Sequence, residues 1–151
     1  MTARSVQHGT IRLERRYNAA PARVFAAWAE PKARAAWDVP GRWVIAEQSF
    51  DFREGGRELK RFGPSSDPRF VADTLYFDIV PDRRIVFSYW MTSRGEPISV
   101  SLTTVELSPA AAGTRLLLTE QVAFLDGHDN AANREEGLAS MLDKFGESLA
   151  A

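Results

Sequence analysis

The chain has no cysteine, only two histidines and no long hydrophobic run, and each shortage removes a class of chemistry. Without cysteine there is no disulfide, no thiolate nucleophile and no cysteine-containing metal site. His8 stands ahead of the first strand pattern and His128 in the loop LDGHDN, so neither is expected to find a partner buried in a sheet. Asp126, His128 and Asp129 are close in sequence, but such spacing is common in loops, and no metal is expected. GxGxxG, Walker, HExxH and GxSxG patterns are missing, and with them the local signatures of nucleotide, zinc-protease and hydrolase chemistry; no cofactor is expected. No apolar stretch approaches the ~20 residues of a membrane span, and MTARSVQHGT lacks the apolar segment of a secretory signal. A soluble, cytoplasmic protein is the expectation. Charge of one sign is lacking too: 19 Lys and Arg are scattered among 20 Asp and Glu, for a net −1. Nucleic acid, which demands a basic stripe, is set aside.

What is present suits one domain spanning residues 1–151, with 44% hydrophobic residues. A chain of this length buries roughly 68–70% of the surface it exposes when unfolded. In TIRLERRYN the residues Ile11, Leu13 and Tyr17 share one parity, the period of a half-buried strand. NAAPARVFAAWAEPKARAAW then changes period: Pro21 suits a first helical position, Val24, Phe25 and Trp28 share a face, and Pro31 divides the segment into two short helices. After Val39-Pro40-Gly41 come WVIAEQSFDF, RELKRF, FVADTLYFDIV, RIVFSYWMT, ISVSLTTVEL and TRLLLTEQVAF, separated by turn material. Strands joined in series by short turns form an antiparallel meander. The last segment returns to helical period through Leu138, Met141, Leu142, Phe145 and Leu149, with Arg134, Glu135, Asp143, Lys144 and Glu147 on its polar face. Asn133 and Glu136 resemble a capping pair, although a start nearer Asp129 is also compatible.

A seven-stranded sheet with one apolar face and one long amphipathic helix satisfy each other if the sheet curls around the helix. Gly55-Gly56 in DFREGGREL serves either as a two-glycine hairpin turn or as a bend in a continuous strand. Apolar parity puts Phe50 and Phe52; Leu75, Phe77 and Ile79; Ile85, Phe87, Tyr89 and Met91; Ile98, Val100 and Leu102; and Leu116, Leu118, Val122 and Phe124 on the inner face. In the sixth strand the apolar set switches to Val105 and Leu107, which predicts a bulge near Thr103-Thr104. Glu120 shares the inward parity of its strand. A carboxylate there must find a partner or have its pKa raised, unless the strand frays and Glu120 meets water. Asp73 shares parity with Leu75 and Phe77, with the same implication. Trp28 falls in the core, and Trp90, alternating with Tyr89, faces outward.

The ordered phrases NAAPARVFAAWAEP, Trp37 and Trp43 around VPG, DFREGGRE, DIVPDRRIVFSY, GTRLLLTEQ and the Gly137-containing last helix resemble the START/Bet v 1-like (SRPBCC) superfamily. Within it they are most similar to the group named after the C-terminal domain of the activator of Hsp90 ATPase. The resemblance spans about residues 10 to 149 and implies an α+β helix-grip fold: a seven-stranded curved antiparallel sheet wrapped around the C-terminal helix, two short helices after strand 1, and a cavity between sheet and helix. It implies that Trp37 and Trp43 stand at the cavity mouth; they could equally plug the end of the domain. Many members have tryptophan where this chain has Leu138, which changes what the last helix covers.

Taken with the aromatic inner face, this makes a small hydrophobic or aromatic ligand the expected partner. The ligand-binding candidates are Trp37, Trp43, Phe52, Phe77, Phe87, Tyr89, Glu120, Leu138, Met141 and Phe145, of which Met141 and Phe145 qualify only if the gap behind them is unfilled. A polyketide cyclase or aromatase-like enzyme is the alternative, with Glu120 as the catalytic acid/base candidate and Tyr89 as helper. A module acting on Hsp90 is disfavoured, because the co-chaperone's additional N-terminal domain has no counterpart and a family name is analogy. Homodimerisation is left open.

Overall fold

Period-2 alternation builds β1 (Val6–Tyr17), and Pro21, whose fixed φ suits a first helical turn, opens α1 (Pro21–Ala29). Pro31 then starts the single turn of α2 (Pro31–Arg34). Six strands follow: β2 (Val44–Phe50), β3 (Arg57–Gly63), β4 (Phe70–Val80), β5 (Arg84–Ser93), β6 (Glu96–Ala110) and β7 (Gly113–Leu125). The chain ends in α3 (Ala131–Ala150). The computed structural model describes residues 4–150. Every strand pair is antiparallel, in the order β1-β7-β6-β5-β4-β3-β2, so β1 and β2 are the edges of one open sheet. This is the α+β helix-grip architecture that the order of elements implied.

The core forms where α1, α2 and the C-terminal half of α3 meet the inner face of the sheet. Phe145, fully buried, packs edge-on to Tyr17 and Trp37 at ring separations of 5.3 and 4.8 Å, and Trp28 lies 4.7 Å from Trp37. The Tyr17 hydroxyl donates to the Leu142 carbonyl at 2.8 Å, which ties α3 to β1. The N-terminal half of α3 packs along one side of the sheet, Ala131 and Leu138 against Ile11, Val122 and Phe124 of β1 and β7, and leaves open space over the neighbouring strands.

The two adjacent glycines form the link between β2 and β3 and also extend the sheet. Gly55 has φ of +80°, and a Cβ on Gly56 would sit 2.1 Å from the Asp51 carbonyl oxygen, so neither position accepts a side chain without rearrangement. Their backbones also pair with Tyr76 of β4 (Gly55 N to Tyr76 O 2.8 Å, Tyr76 N to Gly56 O 3.1 Å). The pair lies in a turn over residues 51–56, longer than a two-glycine hairpin, and not in a bend of one continuous strand, while its pairing with Tyr76 keeps the sheet continuous.

Several expectations are corrected. β1 begins at Val6, and His8 lies inside it opposite Ala123. Of the two starts considered for α3, the one nearer Asp129 holds: Asn130, not Asn133, is the cap, and its side-chain oxygen accepts from the Asn133 N–H at 2.9 Å. In β4 the register shifts between Tyr76 and Asp78, so Ala72, Thr74 and Tyr76 face inward while Phe77 lies 53% exposed on the outer face. Asp73 likewise points away and pairs with Arg57 at 3.4 Å. In β6 the irregularity falls between Pro97 and Ser99, not at Thr103-Thr104. The inward set is therefore Ser99, Ser101, Thr103, Val105 and Leu107, and Val100 and Leu102 are exposed. Trp90 is exposed as expected.

Candidate functional site

Between the N-terminal half of α3 and the inner face of β3–β7 lies a chamber of about 640 Å³. Its apolar wall includes Phe62, Phe70, Phe87, Met91, Leu138 and Met141, and the exposed residues Gly41, Arg42, His128, Asn133 and Glu136 mark its mouth. Trp37, Trp43, Phe87, Tyr89, Glu120, Leu138 and Met141 thus stand at the chamber, as positions, but Trp37 is buried in the core against Trp28 and Phe145 and does not stand at the mouth. Three other candidates do not. Phe145 is sealed in the core, Phe52 packs against Phe25 and Tyr76 outside the lining, and Phe77 lies on the opposite face.

At one end of the chamber is a buried ionic cluster that the sequence reading missed. Arg34 of α2 donates from Nη1 to Asp38 Oδ2 at 2.7 Å, from Nη2 to the Tyr76 hydroxyl at 2.6 Å and from Nε to the Trp28 carbonyl at 2.7 Å. Tyr76 in turn donates to Glu58 Oε1 at 2.6 Å, which also lies 3.2 Å from Arg34 Nη2. Lys60 donates to the Asp38 carbonyl at 2.7 Å, with its ammonium 3.3 Å from the Asp38 carboxylate. Arg34 lies over the ring of Phe50 at 4.6 Å. Burial opposes the Arg34 charge, but Asp38 and Glu58 outweigh it and keep the guanidinium protonated. The missed signal was parity: in RELKRF, Glu58 and Lys60 share a face with Phe62.

Burial by itself would push the Asp38 carboxyl up, yet the charges of Lys60 and Arg34 and their hydrogen bonds hold it below its ordinary value of 3.8. A depressed folded-state pKa means that this carboxylate's stabilisation is complete above the ordinary value and is lost as pH falls through the lower, folded value. Urea unfolding of the wild type and Asp38→Asn between about pH 5 and pH 2 should show a shallower acid decline in the variant. Parallel declines would show that Asp38 carries none of it.

A second cluster closes the other end. Arg134, assigned to the polar face of α3 by its charge, is in fact buried, one turn before Leu138 on the inward face. It donates to the Tyr89 hydroxyl (2.9 Å), Ser101 Oγ (3.0 Å), Ser99 Oγ (2.8 Å), Glu120 Oε2 (3.3 Å) and Asp129 Oδ2 (3.2 Å). Glu120, with no exposed surface, accepts further from Tyr89 at 2.8 Å and Thr103 at 2.7 Å. Its inward position, expected from parity, is thus matched by partners. Burial and the Glu120 charge push the Tyr89 hydroxyl pKa up, against the pull of Arg134, so the phenol stays protonated and serves as a donor. The loop at Asp126–Asp129 does not converge: Asp126 accepts from the Ser5 N–H, His128 lies 3.2 Å from Glu96, and Asp129 faces Arg134.

The loop between these ends is fastened to α3. Lys144 donates to the carbonyls of Val39 (2.7 Å) and Gly41 (3.1 Å), and the Gly41 N–H donates to Ser140 Oγ at 2.9 Å. No helix among the described residues is long and apolar enough to cross a membrane.

Comparison with known proteins places this geometry. The family profile described as activator of Hsp90 ATPase homolog 1-like protein matches residues 18–150. An uncharacterized protein from Rhizobium leguminosarum is 38% identical, with 99% of each chain covered and a TM-score of 0.91. A protein from Rhizobium loti is 49% identical over 95% of this chain and 99% of its own, with a TM-score of 0.87. The AHSA1 protein from Silicibacter pomeroyi, at 19% identity over 94% of this chain and 98% of its own and a TM-score of 0.78, shares the fold. No curated protein matches the chain.

Proposed function

The chain belongs to the activator of Hsp90 ATPase homolog 1-like family, and from its chamber we propose that it binds a small, largely apolar or aromatic molecule between the sheet and α3. The observation that carries this reading is unfilled space. The chamber opens at a mouth of exposed residues, so water reaches it, and an apolar molecule gains by displacing that water from the aromatic wall. Water or a ligand occupies it, and an aromatic wall with a few fixed polar groups is the makeup of a ligand site. Proteins of this fold commonly bind hydrophobic ligands.

The polar clusters bear on the enzyme alternative. Glu120 accepts from Arg134 and from two hydroxyl donors, which takes up three of the roughly four lone-pair sites of a carboxylate and lowers its basicity as a general base. That arrangement suits a scaffold holding α3 to β5, β6 and β7 better than a proton-transfer group.

Organic extraction and native mass spectrometry of the purified protein should reveal a bound lipophile. Alternatively, one member of a lipophile panel at about 100 times its Kd should stabilise the fold by about 2.7 kcal/mol, some 5–11 °C in melting temperature. Met141→Trp, which builds an indole into the chamber from α3, should abolish that shift while the variant stays folded. Neither adduct nor shift across a broad panel would reject the proposal.

A further inference from the structure

The sheet register lines up one polar rib across the chamber floor: Glu58 of β3 opposite Thr74 of β4, Thr74 opposite Tyr89 of β5, and Tyr89 opposite Ser101 of β6. Three of the four are spoken for. Glu58 accepts from Tyr76 and Arg34, while Tyr89 and Ser101 accept from Arg134. Thr74 differs. It lines the chamber at 7% exposure, and its hydroxyl makes no side-chain hydrogen bond to any described residue. Nor is it sealed within packed protein, because the one fully enclosed side-chain polar atom without a partner among the described residues is Trp28 Nε1. The unmet hydrogen-bonding capacity of Thr74 therefore faces the chamber.

Its surroundings restrict what can meet it. On the same face, Ala72 and Met91 lie to one side along the strands, and Tyr76 and Phe87 to the other. A group that reaches the hydroxyl has apolar contacts on both flanks. The charges around the floor are already matched: Arg34, Lys60 and Arg134 face Asp38, Glu58, Glu120 and Asp129, three cations against four carboxylates, while Arg42 stands away at the exposed mouth. An ionic group brought to this floor would lose its hydration with no free countercharge to replace it.

We infer that the occupant is an uncharged molecule with an internal hydrogen-bonding atom, such as a carbonyl oxygen set between two apolar groups, and that this atom pairs with Thr74 Oγ1. The inference rests on the reading that the chamber holds a ligand, and a matched pair of probes separates the two. Benzophenone and diphenylmethane share a two-ring shape and differ in the central carbonyl; 4-benzoylbenzoate adds a charge. Equilibrium dialysis of the full chain should give a benzophenone-to-diphenylmethane affinity ratio that falls about two- to tenfold in Thr74→Val, the range of one neutral hydrogen bond. Thr74→Ser keeps the hydroxyl and should keep the ratio, and 4-benzoylbenzoate should bind more weakly than benzophenone. Because Thr74 has no protein partner to lose, Thr74→Val should melt within a few degrees of the wild type; if valine disturbs the fold, Thr74→Ala provides the same ratio. Binding of both neutral probes with a ratio indifferent to position 74, or equal binding of the carboxylate, overturns this inference and leaves the occupancy proposal standing. Failure of every probe to bind the wild type overturns this inference, and the occupancy proposal falls with it when extraction and the broad panel also give neither adduct nor shift.

Discussion

Arg34→Met is expected to lower the unfolding free energy by about 3–5 kcal/mol, the usual cost of removing one partner from a buried ion pair. Arg34 is 4% exposed, and methionine preserves much of its apolar stem while leaving Asp38 and Glu58, each equally enclosed, short of a cation. At roughly 2–4 °C per kcal/mol for a chain of this size, the melting temperature should drop by about 6–20 °C. The charge imbalance, rather than lost packing, is the claimed cause, and a second substitution checks it. In Arg34→Met/Glu58→Gln the remaining Asp38 still faces Lys60, so part of the loss should return even though a further native group has been removed. A single variant within 1 kcal/mol of wild type, or a double variant worse than the sum of its parts, would mean that water screens the cluster. Lys60 and Gln48 also reach Asp38 or Glu58, so the effect belongs to the network rather than to one contact.

Arg134→Met is expected to be similarly costly, about 3–5 kcal/mol, and Glu120→Gln less so, about 1–3 kcal/mol. The asymmetry follows from what each change strands. Without Arg134, the fully buried Glu120 keeps only the hydroxyls of Tyr89 and Thr103, and Ser99 and Ser101 lose their donor. Without the Glu120 charge, Arg134 still has Asp129 at 3.2 Å and can reach the rim of the chamber. Denaturant titrations of the two variants decide the point, and a reversed order would show that Arg134 is held by its neighbours rather than holding them. Arg134 ties α3 to three strands beside the chamber, so the same variant should also weaken any ligand that depends on the chamber's shape.

Burial of both arginines explains how the chamber persists. Aromatic contacts anchor the far half of α3, with Phe145 among Tyr17, Trp28 and Trp37. The near half is held by Arg134, by Ala131 and Leu138 against β1 and β7, and by the Ser140 tie to Gly41, while Lys144 fastens the Val39–Gly41 loop to the far half. Long, hydrogen-bonded side chains hold two surfaces apart where apolar ones would let them close. On this reading the charges in the wall keep the space open, and Thr74 supplies the recognition.

Much of this was legible in the residues. Turn material between strand-type runs, prolines at the helix starts and the stripe from Leu138 to Leu149 led directly to the observed elements, and parity placed Glu120 inside. Phe77 and Leu102 were misplaced because a one-residue bulge inverts the faces of a strand, and hydrophobicity alone does not say where the extra residue goes. Arg134 and Arg34 were missed for a different reason: charge argues for a solvent face unless the partners are known, and those partners come from other elements.

Local properties of the chain therefore determined its element order, its antiparallel meander and the amphipathic last helix, since backbone propensity and short turns act between near neighbours. Which side each strand shows after a bulge, which charges are buried together, and that the helix stops short of the floor were decided only in three dimensions. Each depends on contacts between residues distant in sequence, as between Arg34 and Glu58 or Glu120 and Tyr89, and no single segment carries the energy that selects them.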